Sequence, residues 1–266
     1  MAPGSDPLRI GAWHHSSTDN CQHTVATMNK NAGLYALGTI LLGAVGIYFG
    51  KFALQWQPVP DSVGSRELLA YVSGAVLVLG GGAILSRKFE RAGALVLAMF
   101  YGLWTLTLNL PVAIAGWTHI GAWNSPAEIT FLTMGAVALL SASAGAMRGT
   151  LVLVARFLAG ASAIVFGLAH FNWADFTASM VPAWIPYPLF WAYATGAGHL
   201  AAGLAFVSGI KSRLAATCLA FMMGSFVLLL HLPRVIANPE KHDEWIMLAV
   251  SASLTGAAVL LRKYVF

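Results

Sequence analysis

Apolar residues run along this chain in long stretches separated by short polar breaks, without the alternation that marks half-buried strands. The stretches fall at about 33–54, 66–86, 92–115, 127–147, 150–171, 185–208, 213–237 and 244–262. About 20 apolar residues cross the hydrocarbon of a bilayer at roughly 1.5 Å of helix rise per residue. Lipid admits only helices and closed barrels, because every backbone polar group must find a partner within the protein. The pattern therefore predicts an all-α membrane protein with eight transmembrane helices.

Composition agrees: 58% of the 266 residues are hydrophobic, 9% are charged and the mean hydropathy is +0.72. Charge adds an orientation. Arg87, Lys88, Arg91, Arg148, Lys211, Arg213, Arg262 and Lys263 follow the even-numbered spans, which places those ends and both termini in the cytoplasm of a bacterial inner membrane. The other connections carry most of the acids together with Trp56, Trp117, Trp123, Trp173, Trp184 and Trp245, an interfacial belt. The net charge of +5 is thus a topology signal; it forms no basic patch for nucleic acid, and lipid is the expected surrounding.

Residues 1–32 read as a disordered cytoplasmic tail, with Met28 a second candidate start. His14, His15, Cys21 and His23 in that tail have no apolar frame to organise them around a metal. The two cysteines, Cys21 and Cys218, imply no disulfide framework and no Cys-x-x-Cys redox pair.

An internal repeat divides the rest. A shift of 122 residues aligns YVSGAVLVLGGGAILSRKFERAGALVLAMFYGLWTLTLNLP (71–111) with YATGAGHLAAGLAFVSGIKSRLAATCLAFMMGSFVLLLHLP (193–233) without a gap, matching Tyr71 with Tyr193, Gly74 with Gly196, Arg91 with Arg213 and Pro111 with Pro233. Each unit, 33–147 and 148–266, holds four spans, so the two enter the membrane in the same direction as parallel four-helix bundles. Lys51 stands opposite His170, Leu77 opposite His199 and Asn109 opposite His231, whereas Glu128 and Glu244 both open a fourth span. The first unit reads as scaffold and the second as the chemical half.

The helix ends GIYFGKF and VFGLAHF, the Gly-rich second helix of each unit, and the LNLP and HLP third helices resemble the DoxX family of four-helix membrane modules. Nearly all of 33–264 is covered, as a tandem pair. The resemblance implies a membrane-embedded redox partner or quinone-linked subunit of an electron-transfer system; the tandem arrangement departs from the single module.

The candidate site follows from level. His170 ends span 5 and His231 lies about 27 Å up span 7, so both imidazoles reach the outer side. Arg234 is one turn beyond His231, and Glu244 starts span 8. Pro233 should kink span 7 and free carbonyls near residue 229. With Trp184 and Tyr187 these groups would line a pocket in which His170, His231 and Glu244 exchange protons with a quinone headgroup and Arg234 steadies its reduced form.

A duller reading stands beside this one, with His170 and Glu244 as headgroup-level polar residues and Arg234 snorkelling. His199, near mid-membrane, is expected to lock helices by a hydrogen bond, at a depth that rules out a three-histidine zinc site. Haem b held by His170 and His231 is a second cofactor reading. Non-catalytic scaffold or assembly protein and small-molecule transporter are the alternatives in function; a redox partner protein is expected only under the first reading, and oligomeric state is left open.

Overall fold

The computed structural model describes Met1 and residues 29–266, so His14, His15, Cys21, His23 and the alternative start at Met28 lie outside the described residues. Among the described residues there are helices and no strands. In order they are α1 (Gly33–Phe49), α2 (Arg66–Leu85), α3 (Glu90–Trp104), a π-helical turn (Thr105–Asn109), α4 (Leu110–Ala115), α5 (Ile120–Ser141), α6 (Arg148–Asn172), α7 (Ala174–Ser179), α8 (Pro188–Ser208), α9 (Ser212–Phe226), a second π-turn (Val227–His231), α10 (Leu232–Ala237) and α11 (His242–Tyr264).

Among the described residues, five helical stretches are long and apolar enough to cross a membrane: Arg66–Leu85, Glu90–Ala115, Gly145–Asn172, Ser212–Ala237 and His242–Tyr264. Gly33–Phe49 is a shorter apolar helix. Of the remaining two expected spans, α5 is diluted by Asn124, Pro126 and Glu128, and α8 by His199 and its aromatic start.

The element boundaries carry the 122-residue spacing. α2, α3, the first π-turn, α4 and α5 begin at 66, 90, 105, 110 and 120; α8, α9, the second π-turn, α10 and α11 begin at 188, 212, 227, 232 and 242. Ser65 and Tyr187, which precede α2 and α8, share a left-handed backbone at φ 54° and 58°. The first helices keep a different register. A Cβ on Gly43 would lie 2.4 Å from the Gly74 carbonyl oxygen, and one on Gly167 would lie 2.8 Å from that of Gly196. Gly74 and Gly196 differ by 122 but Gly43 and Gly167 by 124, so His170 corresponds to Gly46, not to Lys51.

Proline explains the π-turns. The rings of Pro111 and Pro233 remove a backbone donor and would crowd the carbonyl four residues before them. The expected kink in the seventh span takes the form of a widened turn, Val227–His231, just ahead of Pro233. The first unit does the same at Thr105–Asn109 ahead of Pro111.

Two self-contained bundles were the expectation, and the packing differs. α1 packs along α2 and α11, not along α5; α6 packs along α8 and α5, and barely on α11. Each fourth helix therefore rests on the third helix of its own unit and on the first helix of the other. α5 and α11 meet at the centre, where a Cβ on Gly135 would lie 2.7 Å from that of Ala257, its 122-residue counterpart. The Cβ of a residue at 256 would fall 2.2 Å from the Tyr35 backbone nitrogen, so only glycine lets α1 approach α11 this closely. Tyr35 itself is fully buried and donates its hydroxyl to the Leu132 carbonyl at 2.8 Å.

Candidate functional site

A cavity of about 720 Å³ lies mainly within the second unit and reaches the first at Trp56, Asn124 and Glu128. Its walls are mostly apolar, and its ionisable groups come from four helical segments: Glu128 from α5, His170 from α6, His199 from α8 and His231 from the π-turn that follows α9. The connection between α6 and α8 roofs it with Trp173, Phe176, Met180 and Trp184.

His170 and His199 stand side by side with ring centroids 4.9 Å apart. His170 Nδ1 donates to the Phe166 carbonyl at 2.7 Å, because a carbonyl can only accept; in the neutral ring Nε2 is then left as an acceptor. His199 also meets Phe166 edge-on at 5.5 Å. Its Nδ1 and that of His231 are buried without a hydrogen-bond partner, in residues only 3% and 8% exposed. Such groups are costly, and each calls for an occupant that supplies the missing bond.

The expectation that His199 sits apart, locking helices, is corrected: its Nδ1 bonds no neighbour and its ring lies on the cavity wall beside His170. The reason is helix stagger. Gly196 packs against the Cβ of His170, so the α8 residues before it project beyond the level of His170 by roughly two turns, or about 12 Å. Those residues had been counted as part of the membrane crossing that sets His199 deep.

The first unit shows the same frame closed. His170, His199 and His231 occupy the places of Gly46, Leu77 and Asn109. Asn109 donates to the Trp56 carbonyl at 2.9 Å and to the Trp104 carbonyl at 3.1 Å. Trp56 and Gln57 are buried, each 4% exposed, and Gln57 donates to Ser73 at 2.7 Å. One loop thus fills the space that stays open in the second unit.

Glu244 and Arg234 do not line the cavity. They grip each other bidentately, Nε to Oε2 at 2.8 Å and Nη2 to Oε1 at 2.9 Å, tying α10 to α11. The role expected of Arg234, toward a bound headgroup, is thus taken up by its own neighbour. Tyr187 is 78% exposed and outside the cavity wall, whereas Trp184 belongs to the roof.

The acid at the cavity is Glu128, which accepts from the indole N–H of Trp56 and from Asn124 Nδ2 at 2.8 Å. The two acids are not equivalent after all: 128 and 244 differ by 116, not 122, and Glu128 lies six residues deeper in its helix, about 9 Å. Its signal in the sequence was that depth, a carboxylate well inside an apolar helix. Arg156 was likewise passed over; it donates to the Phe206 and Val207 carbonyls at 2.7 and 2.8 Å, closing the end of α8. Among the described residues, no group of three His, Cys, Asp or Glu is placed to hold a metal ion.

Residues 151–232, from the start of α6 to the residue after His231, match the DoxX family model. No curated protein matches the chain, and no solved structure does. The matched stretch contains His170, His199 and His231 and excludes Glu128, Arg234 and Glu244. Over that segment, less than a third of its length, the chain is similar to DoxX proteins, and its apolar helices are those of an integral membrane protein.

Proposed function

We propose that the protein is a tandem pair of DoxX-like units, eight helices crossing a bacterial inner membrane with both termini cytoplasmic, whose second unit binds a quinone or a similar apolar redox molecule for an electron-transfer partner protein. The observation that carries this reading is the contrast between the units: the same backbone frame is sealed by Asn109 and Trp56 in one and left open over two partnerless imidazole nitrogens in the other. A quinone headgroup fits the donor set, since it offers two acceptor oxygens when oxidised and two hydroxyl donors when reduced, within otherwise apolar walls.

When bound, a quinone supplies a two-electron, two-proton couple; the electrons pass to or from the partner protein. The chain's own groups handle the rest. His199 and His231, whose Nδ1 atoms are unpartnered, would hold the headgroup, and His170 Nε2 and Glu128 would take or give protons at the wall. Haem b is the second cofactor reading, with His170 and His231 as its pair; the His199 ring, 4.9 Å from that of His170 between centroids, would stand against the macrocycle on the His170 side.

The test is extraction. Protein purified in mild detergent should carry quinone, detected by mass spectrometry, and His231→Ala should lose it while remaining folded. A haem absorbance band would replace quinone by haem. Colourless, quinone-free protein that also fails to bind added quinone would leave the histidines as helix-packing residues and the protein as a scaffold.

A further inference from the structure

Along one wall of the cavity, α8 and α9 pack less extensively than their counterparts α2 and α3. The sequence accounts for it. Gly80 and Gly93 draw α2 and α3 together, with a Cβ on Gly93 only 2.6 Å from the Gly80 carbonyl. The second unit has Ala202 and Ala215 at those places. Nearer the cavity Val76 and Leu103 give way to Gly198 and Ser225, two smaller residues at the matching positions.

Several residues belong at once to the cavity wall and to the outer surface of the helices. Phe221 is 82% exposed, Trp191 44% and Leu229 41%, and all three line the cavity. They flank the seam, two on α9 and its π-turn and one on α8. On that face of an integral membrane protein the surrounding medium is lipid. Met222, whose Sδ would lie 3.0 Å from a Cβ on Gly198, sits across the seam and is the kind of pliable side chain that moves aside readily.

We infer that the cavity is filled sideways from the bilayer, through the seam between α8 and α9, by a molecule with a hydrogen-bonding headgroup and a long apolar tail that stays in the seam. This rests on the reading of the cavity as a ligand site and narrows its ligand class: a membrane-dissolved, tailed molecule, not a solute from the water. The headgroup reaches the unpartnered nitrogens of His199 and His231, which are buried at the inner end of the passage. The tail lies along Phe221, Ser225 and Leu229, replacing lipid contacts with equivalent protein contacts, so entry requires no transfer of the tail through water.

The test restores the first unit's residues. Gly198→Val with Ser225→Leu, in the full chain reconstituted in lipid nanodiscs, is compared with the parent protein for binding of a quinone carrying a long isoprenoid tail and of the tail-free quinone. Expected is a loss of affinity of about tenfold for the tailed quinone, equivalent to displacing about two buried methylene groups, with a clearly smaller loss for the tail-free quinone. Ser225→Leu alone, at a partly exposed position, provides the same comparison should the double variant fail to fold. Equal effects on both quinones, or none on either, would overturn lateral entry while leaving the site in place. A parent protein that binds neither quinone would remove the site and this inference together.

Discussion

Glu128→Ala tests the junction on which the site depends. The carboxylate accepts two N–H groups, one from the indole of Trp56 and one from Asn124. Trp56 is 4% exposed, so its indole N–H has no access to solvent once the acceptor is gone, and a stranded buried donor costs about 1–3 kcal/mol. Asn124 is only half-buried and recovers most of its loss. The expected destabilisation is about 2 kcal/mol, which for a chain of this size lowers the unfolding midpoint by about 4–8 °C. Glu128→Gln keeps one acceptor oxygen and should lose about half as much. The assay is thermal unfolding of purified protein in one detergent, followed by tryptophan fluorescence, with quinone retention measured on the same samples. An alanine variant as stable as the parent would refute the claim that Glu128 anchors the Trp56 loop. A glutamine variant that folds and binds quinone but still exchanges protons at the parent's rate would remove Glu128 from the proposed proton handling.

Three further outcomes are expected. Gly256→Ala should be strongly destabilising, because its Cβ meets the Tyr35 backbone at 2.2 Å, whereas Gly82→Ala, with nothing within 4 Å, should be neutral or stabilising by up to about 1 kcal/mol through helix propensity; paired unfolding curves check this. The Arg234–Glu244 pair is half-open to solvent on the arginine side, so a double-mutant cycle of thermal stabilities should give a coupling of about 0.5–1 kcal/mol, smaller in high salt, with no change in co-purified quinone. His231→Asn, which installs the first unit's residue, should leave the helical circular dichroism signal intact and lose bound quinone, because no second-unit counterpart of the Trp56 loop fills the space.

The helices were legible because lipid imposes one solution on long apolar runs, and the 122-residue spacing from Tyr71–Tyr193 to Pro111–Pro233 reappears in the start of each matching helix from α2 onward. His170 and His231 facing one cavity also followed from counting residues along two helices. What failed depended on relations between helices. The stagger of α8 against α6 moved His199 up to His170, and no periodicity within α8 encodes it. The choice of α5, not α11, as the neighbour of α6 brought Glu128 to the site and left Glu244 to Arg234; such a choice is made by small-residue contacts such as Gly256 against Tyr35, which seats α1 on α11, between segments far apart in sequence. The proline effect was half right: Pro233 does disturb its helix, and the disturbance is spread over a wider turn.

The crossing-over of α5 and α11 makes the two halves mutually dependent for closure. Expressed without its partner, residues 148–266 would leave the flank of α6 bare where α5 belongs, and α11 would have no α1 to cover it. During synthesis the N-terminal unit must therefore wait, incompletely closed, until the last helix emerges from the ribosome. In this connectivity the first helix of each half finds its second neighbour only in the other half, so neither half buries its own faces alone.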